Sequence, residues 1–546
     1  MIAPTKEQEL IIDSPGSIVI IANPGSGKTY VLAEKIKKVL SELKEYQGII
    51  AISYTNKASQ ELKKRCLNSG INPKSSFFGT IDKFCISEII LPFAGIFFGQ
   101  TKSNVSIVKQ SDLSEENTLL YTEYQTHVNG PVFDLGGIDA LKRLYLNGVV
   151  VLESVGTLAL YIFDNKLACK KYIKAKYTHI VIDEYQDSGI EQHLLFLRIK
   201  DLGLTGIAVG DANQSIFKFS GKSSDHLLDL ATKQNDFTLL PLVKNHRCDP
   251  SIINYSRMLL GDKSSFLPSS ALHVHEKKVI GKETDIANWL NNAISKYTSQ
   301  YGVDKFSNVG ILVRSGRTGS LINQNLNIPR KFFENTPLDD DFTIWSEIFR
   351  EALSVIFNTK SSQIYFIEKY IDVSSKRHAS LAIIDMLKKI KKEFSNEGMD
   401  VTKVMTFLEK IANYFSPSGY NKRSLYLLSE VISNPIYLDS YKPANEDEVQ
   451  IMTLHKSKGL EFDIVFHLDL YDWILPRAIP ENYAKVYPEY NQDLNLHYVG
   501  ITRARKCCVL CHSSQRTNYQ NLIKTGSPSE FLTIKSLSEM RASSPF

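Results

Sequence analysis

The chain has 546 residues, of which 43% are hydrophobic and 23% charged, with 64 basic and 59 acidic side chains giving a net charge of +5. That length predicts three or four domains or subdomains with cores of their own, and the ordinary composition excludes a disordered or fibrous chain. The small positive balance permits a nucleic-acid partner without demanding one, and the seven scattered cysteines fit a reducing cytoplasm.

No basic segment followed by an apolar core opens the chain, so no secretory signal is predicted. The first strong element is the apolar run Ser17–Ile21, a strand. It leads into Ala22-Asn23-Pro24-Gly25-Ser26-Gly27-Lys28-Thr29, and a helical pattern starts near Tyr30. A strand, a glycine-rich loop and Gly-Lys-Thr at a helix start form a phosphate-binding P-loop, in which loop N–H groups and the helix dipole converge on an anion. Lys28 is expected on the β- and γ-phosphates of a nucleoside triphosphate and the Thr29 hydroxyl on Mg²⁺. Ala22 stands where the general pattern has its first glycine, and is small enough to keep the turn.

The apolar stretches Ile86–Phe98 and Gly148–Phe163 are interrupted by Glu88 and Pro92 and by Glu153 and Ser154, so neither spans a bilayer. A second strand, His179–Ile182, ends in Asp183-Glu184-Tyr185-Gln186-Asp187. Both acids then sit at a strand's C-terminal end, where open α/β sheets bind ligands. Asp183 suits Mg²⁺ and Glu184 suits activation of the attacking water. A third strand, Gly206–Asp211, leads to Gln214, placed to sense the γ-phosphate. A further strand is expected at Asn308–Arg314, and mostly amphipathic helix from about Leu321 to Tyr441. The lysines at 388, 389, 391 and 392 could face DNA phosphates, but a solvated helix face is preferred. Cys507, Cys508, Cys511 and His512 lie in an apolar run and read as buried strand residues rather than a metal site.

Taken together these segments resemble the UvrD/Rep-type helicases of superfamily 1. Thr5-Lys6-Glu7-Gln8 is similar to that family's adenine-reading motif, with Gln8 as the reader. Ala51–Ala58, containing Tyr54, Thr55 and Asn56, and Gly79–Phe84, containing Thr80, are similar to its segments that contact single-stranded DNA. Leu242–Arg247 matches a motif whose arginine, Arg247, touches the γ-phosphate. Val449–Phe462, with His455 and Glu461, matches the motif coupling DNA to nucleotide, and Tyr498–Arg505 the one whose Arg503 completes the site across a cleft. The motifs stand in the family's order along the chain.

The resemblance implies an α/β fold of two RecA-like motor domains, ATP between them, 3′→5′ DNA helicase activity and a mainly helical insertion in each motor domain. The expected division is 1–95 and 172–247 for the first motor domain around an insertion at 96–171. The second motor domain is expected at 248–320 and 442–546 around an insertion at 321–441, with no room for an appended nuclease domain. Several residues depart from the family pattern. His246 replaces a tyrosine that stacks on adenine, Ser220 replaces an arginine, and Asn495 replaces an arginine upstream of Tyr498. Phe219 replaces a tryptophan, and Tyr54, Phe217 and Phe219 are the candidates for a base-stacking track.

A further resemblance, carried by Phe77–Ile90 with Pro92 and by Asn335-Thr336-Pro337-Leu338-Asp339, is to the helicase-like B subunit of Gabija anti-phage systems. It implies a hetero-oligomer with an OLD-type DNA-nicking nuclease and a role in sensing DNA ends or depleting nucleotides. A stand-alone repair helicase and a nucleotide-clamped DNA-binding scaffold without turnover are the alternatives.

Overall fold

The computed structural model describes residues 4–546 apart from 54–55, 68–69, 103–104, 128–134, 215–223, 264–265, 342, 359–362, 372, 374–375, 397, 482–483, 519 and 521. Two parallel sheets organise it. The first is built from β1 (Ile18–Ala22), β2 (Gly48–Ile52), β3 (Phe77–Gly79), β4 (Tyr177–Ile182), β5 (Thr205–Gly210) and β6 (Thr238–Leu242) in the order β3-β2-β4-β5-β1-β6. The second contains β7 (Val274–Val279), β8 (Val309–Val313), β9 (Arg330–Phe332), β10 (Val449–Thr453), β11 (Phe462–His467), β12 (Ala504–Ser513) and β13 (Ala542–Ser543), in the order β9-β10-β8-β11-β12-β7-β13. All pairings within both sheets are parallel. These are the two α/β motor domains expected from the sequence.

The strands read as continuous apolar runs because both faces are covered. Ile18, Ile20 and Ala22 of β1 pack with Val31, Leu32, Ile36 and Leu40, which recur at helical spacing along α2 (Lys28–Glu42). Val19, between them, faces the opposite core with Ile50, Ile180 and Ile182. The second sheet alternates in the same way, Cys508 and Leu510 facing one core and Cys507, Val509 and Cys511 the other. The cysteine cluster is therefore strand interior. Among the described residues no group of three or more His, Cys, Asp or Glu side chains could hold a metal ion.

The two insertions differ in how they are held. Leu141, Leu144, Leu158 and Phe163 of the first share one core with the sheet residues Val19 and Ile50. It is reached through a helical run whose middle, Cys85–Ile90, is a π-helical turn. The second insertion has its own core, in which Trp345, Phe349 and Leu353 pack on Leu387, Leu408 and Leu428. It begins later than the sequence pattern indicates: the helix Gly316–Asn325 packs against the second sheet, and β9 pairs with β10, so the inserted helices run from Ile344 to Asp439. Three residues are too few to display a strand period, and Lys331, at the centre of β9, is a buried lysine whose ammonium reaches the Asp439 carboxylate at 2.5 Å. The lysines at 388, 389, 391 and 392 are exposed. Among the described residues no helix is long and apolar enough to cross a membrane.

Candidate nucleotide-binding site

β1 ends at Ala22 and the loop Asn23–Gly27 carries the chain into α2. Gly25 and Gly27 both have left-handed backbones, φ +67° and +87°. A Cβ on Gly25 would lie 2.5 Å from Cβ of Arg247, and one on Gly27 would lie 2.8 Å from Nε2 of Gln8. Glycine is needed at both for conformation and for close approach. Ser26 closes the loop by donating from Oγ to the Asn23 carbonyl (2.7 Å). Gly27 gives the N-terminus of α2 no side-chain cap, leaving its first N–H groups for an anion. Lys28 and Thr29, the first two residues of α2, are half-buried.

Gln8 lies in α1 (Lys6–Asp13), whose N-terminus is a capping box with Thr5. Its Nε2 donates to the Ser26 carbonyl (3.1 Å) and its Oε1 accepts from the Thr5 N–H (3.0 Å). The side chain is thus part of the P-loop wall.

Asp183 follows β4 and is buried. Its N–H donates to the Ile52 carbonyl (2.9 Å), and its Oδ1 accepts from the Glu184 N–H (2.9 Å). Burial first, then the neighbouring Glu184 charge, push its carboxyl up to about 7, against the pull of Lys28. Glu184 takes a left-handed backbone, φ +54°. Burial opposes its ionisation, yet Lys28, the Gln186 amide, Lys458 and Arg503 outweigh it and hold the carboxyl below the ordinary range. Adjacent acids thereby shift in opposite directions, Asp183 upward and Glu184 downward.

A chain of contacts carries on from Glu184. Gln186 donates from Nε2 to Glu184 Oε2 (2.5 Å) and accepts the Asp211 N–H on Oε1 (3.1 Å). Asp211 Oδ2 accepts from Gln214 Nε2 (2.7 Å), and Gln214 Oε1 accepts from Nη2 of Arg503 (3.4 Å), across the interface between the lobes. Lys458, in the loop after β10, also crosses it, pairing with Asp187 (2.8 Å) and donating to the Gln214 carbonyl (2.9 Å). Arg247 pairs with Glu461 at 2.6 Å. It lies on the segment crossing between the lobes, whose His246 N–H donates to the Gly25 carbonyl (2.8 Å). The His246 imidazole is exposed.

Of the DNA-contact candidates, Thr80 follows β3 and caps the helix Ile81–Phe84, accepting from the Lys83 N–H (3.4 Å). His455 follows β10, and burial, then Arg314 and Lys458, hold its imidazole down to about 4. Both stand at C-terminal strand edges. Asn56 opens the helix Asn56–Leu67. Tyr54, Thr55, Phe217, Phe219 and Ser220 lie outside the described residues. Gln186, Asp187, Asp211 and Lys458 were not singled out from sequence. The first two belong to the Asp-Glu-x-Gln-Asp signature and Lys458 to His-Lys-Ser-Lys-Gly, so the signal was present as motif membership without an assigned partner.

Residues 8–220 match the model of an AAA domain, and residues 334–515 that of the UvrD-like helicase C-terminal domain. The chain is 29% identical over 525 residues to the Gabija protein GajB of Bacillus cereus (strain VD045), covering 94% of this chain and 96% of that protein. It is 24% identical over 628 residues to the ATP-dependent DNA helicase Rep of Buchnera aphidicola subsp. Acyrthosiphon pisum, covering 95% of each. It is 21% identical over 622 residues to the ATP-dependent DNA helicase PcrA of Bacillus subtilis, covering 94% of this chain and 82% of that one. An AAA domain and a UvrD-like helicase C-terminal domain are thus matched in one chain, which is similar over nearly its whole length to the UvrD/Rep-type ATP-dependent DNA helicases.

Proposed function

We propose that the protein hydrolyses ATP in the cleft between its two lobes while bound to DNA, and that this turnover drives a partner nuclease in anti-phage defence. The observation that supports the ATPase part is the Arg503–Gln214 contact, in which a cation of the second lobe meets a residue hydrogen-bonded to Asp211 of the first. In phosphoryl transfer, charge develops on the transferring group, and fixed cations stabilise it.

Roles follow from chemistry and position. Lys28 and the free N–H groups of α2 hold the phosphates, and Gln8 reads the base from its place on Ser26. Glu184, held ionised, takes the proton of the attacking water. Arg247 and Arg503 stabilise the γ-phosphate charge, with Gln214 sensing that group and Glu461 orienting Arg247. His246 offers an exposed imidazole to the adenine face. Asp183 and Thr29 suit Mg²⁺: a buried carboxyl raised to about 7 gives up its proton to a divalent cation, and hard oxygen donors match that ion. When bound there, Mg²⁺ would supply neutralisation of phosphate charge. Since the cations come from different lobes, substrate favours the closed cleft and product release opens it. Single-stranded DNA is read at the C-terminal strand edges bearing Thr80 and His455 and at the helix start Asn56, with 3′→5′ polarity, and Tyr54, Thr55, Phe217 and Phe219 are further candidate contacts that lie outside the described residues.

The defence reading rests on the near full-length similarity to a protein named Gabija GajB. It calls for an OLD-type nuclease as partner in a hetero-oligomer. The similarity to Rep and PcrA supports a second reading, a self-sufficient repair helicase. One assay separates them: unwinding of a tailed duplex by the purified protein, with and without an OLD-type nuclease encoded beside it. Strong unwinding alone, unaffected by the nuclease, supports the repair reading. Weak unwinding, with nicking that depends on this protein and ATP, supports the defence reading.

A further inference from the structure

The segment that leaves β6 for the second lobe changes hydrogen-bond partners within two residues. Up to His246 it is bonded to the first lobe. Asn23 donates its N–H to the Leu242 carbonyl (3.0 Å) and its Nδ2 to the Val243 carbonyl (3.4 Å). The N–H groups of Val243 and Lys244 both donate to Oε2 of Glu7, at 3.2 Å each, and that of His246 donates to Gly25. From Cys248 onward it is bonded to the second lobe: Cys248 Sγ to the Thr502 carbonyl (3.7 Å) and the Asp249 N–H to the Arg505 carbonyl (2.8 Å). Arg247 stands at the changeover.

The helix that carries Glu7 is itself tied down. It is joined to the P-loop through Gln8 and Ser26. The end of that helix is gripped by the buried Lys35 of α2, whose ammonium donates to the carbonyls of Ile11 (2.9 Å) and Ser14 (2.7 Å). One carboxylate oxygen of α1 thus joins the nucleotide-reading helix to the backbone three residues ahead of Arg247.

We propose that Glu7 is a positioning residue for hydrolysis: it anchors the crossover segment to the P-loop lobe, so that closure pivots at Arg247 and delivers its guanidinium to the γ-phosphate in one geometry. The proposal rests on the nucleotide-site reading above. What it asks of Glu7 is acceptor capacity rather than charge, since both partners are neutral N–H groups, and a carboxamide oxygen has two lone pairs to offer.

The test is steady-state ATPase at saturating single-stranded DNA for the wild type, Glu7→Ala, Glu7→Gln and Lys28→Ala, with a melting curve for each. Glu7→Ala is expected to lower kcat about tenfold while KM for ATP stays within about twofold, the pattern of a displaced catalytic group over an intact binding site. Glu7→Gln is expected to keep kcat within about twofold of the wild type, because its amide oxygen accepts both N–H groups. Glu7→Ala with unchanged kcat, a loss confined to KM, or an equal loss in Glu7→Gln would overturn the proposal. Lys28→Ala separates the two levels: were it active, the nucleotide-site reading itself would fail, whatever Glu7 does.

Discussion

Nη2 of Arg503 and Oε1 of Gln214 meet at 3.4 Å although 288 intervening residues and a lobe boundary separate them in the chain. Arg503 is 2% exposed, and its other donors are taken by its own lobe, Nε by the Val499 carbonyl (3.1 Å) and Nη1 by the Leu460 carbonyl (3.2 Å). Burial first, then Arg247, push it down to about 10, so it remains a cation at neutral pH. One nitrogen of a fixed fork is thereby presented to the other lobe.

On the proposed mechanism, Arg503→Ala lowers kcat by about 10³–10⁵ with a much smaller change in KM for ATP, as for an arginine finger acting in the transition state. Arg503→Lys does not restore it, because a lysine lacks the planar fork that uses the Val499 and Leu460 carbonyls as supports. Single-turnover hydrolysis with saturating DNA measures both. An Arg503→Ala protein within tenfold of the wild type would remove this residue from the transition state.

Lys458→Met removes the ammonium that the other lobe presents to Asp187, which is 1% exposed. Breaking a buried pair from one side costs about 3–5 kcal/mol, and here the cost falls on lobe closure rather than on either core. The expected result is loss of DNA-stimulated ATPase with a melting temperature lowered by only a few degrees. Small-angle scattering with a bound ATP analogue checks the closure directly, the variant staying in the open form.

The Asp183 carboxyl binds its proton more tightly in the folded chain than in the unfolded one, because burial and Glu184 raise it to about 7. In ligand-free protein this group therefore subtracts stability as the pH rises from about 4 to about 7, and the loss is complete above that. Asp183→Asn removes this contribution, so its melting temperature falls less steeply than the wild type's between pH 5 and 7. Hydrolysis by the wild type declines below pH 7 as protons compete with Mg²⁺, and extra Mg²⁺ restores part of it. Parallel melting profiles for the two proteins would show that Asp183 does not titrate in this range.

Gly25→Ala and Gly16→Ala form a matched pair, since both sites are left-handed, φ +67° and +72°, but only Gly25 has neighbours a methyl group would strike. Each pays about 1–2 kcal/mol of backbone strain. Gly25→Ala in addition displaces Asn245 and Arg247 from the P-loop, so its ATPase falls at least tenfold further than that of Gly16→Ala, a margin of about 1.4 kcal/mol or more. Equal activities in the two variants would mean that the loop and the crossover segment need not touch.

Most of the phosphate site was legible because strand, loop and helix are consecutive there. Apolar Ile18–Ile21, two glycines and Lys28 lie within a dozen residues, and covalent geometry alone places them together. The same holds for Asp183 and Glu184 at the end of β4. The start of the second insertion was not legible, because β9 is held by pairing to β10 more than a hundred residues later and shows no period of its own.

The amino-acid order by itself determined the two α/β lobes, the P-loop and the acids at a strand end, since each depends on local period, turn chemistry or adjacency. Only the tertiary structure decided that the Asp183 carboxyl is pushed up while that of Glu184 is held down, that Lys458 and Arg503 reach across to Asp187 and Gln214, and that Glu7 accepts from the segment before Arg247. Those properties come from burial and from partners remote along the chain, and they arise only when the chain has folded.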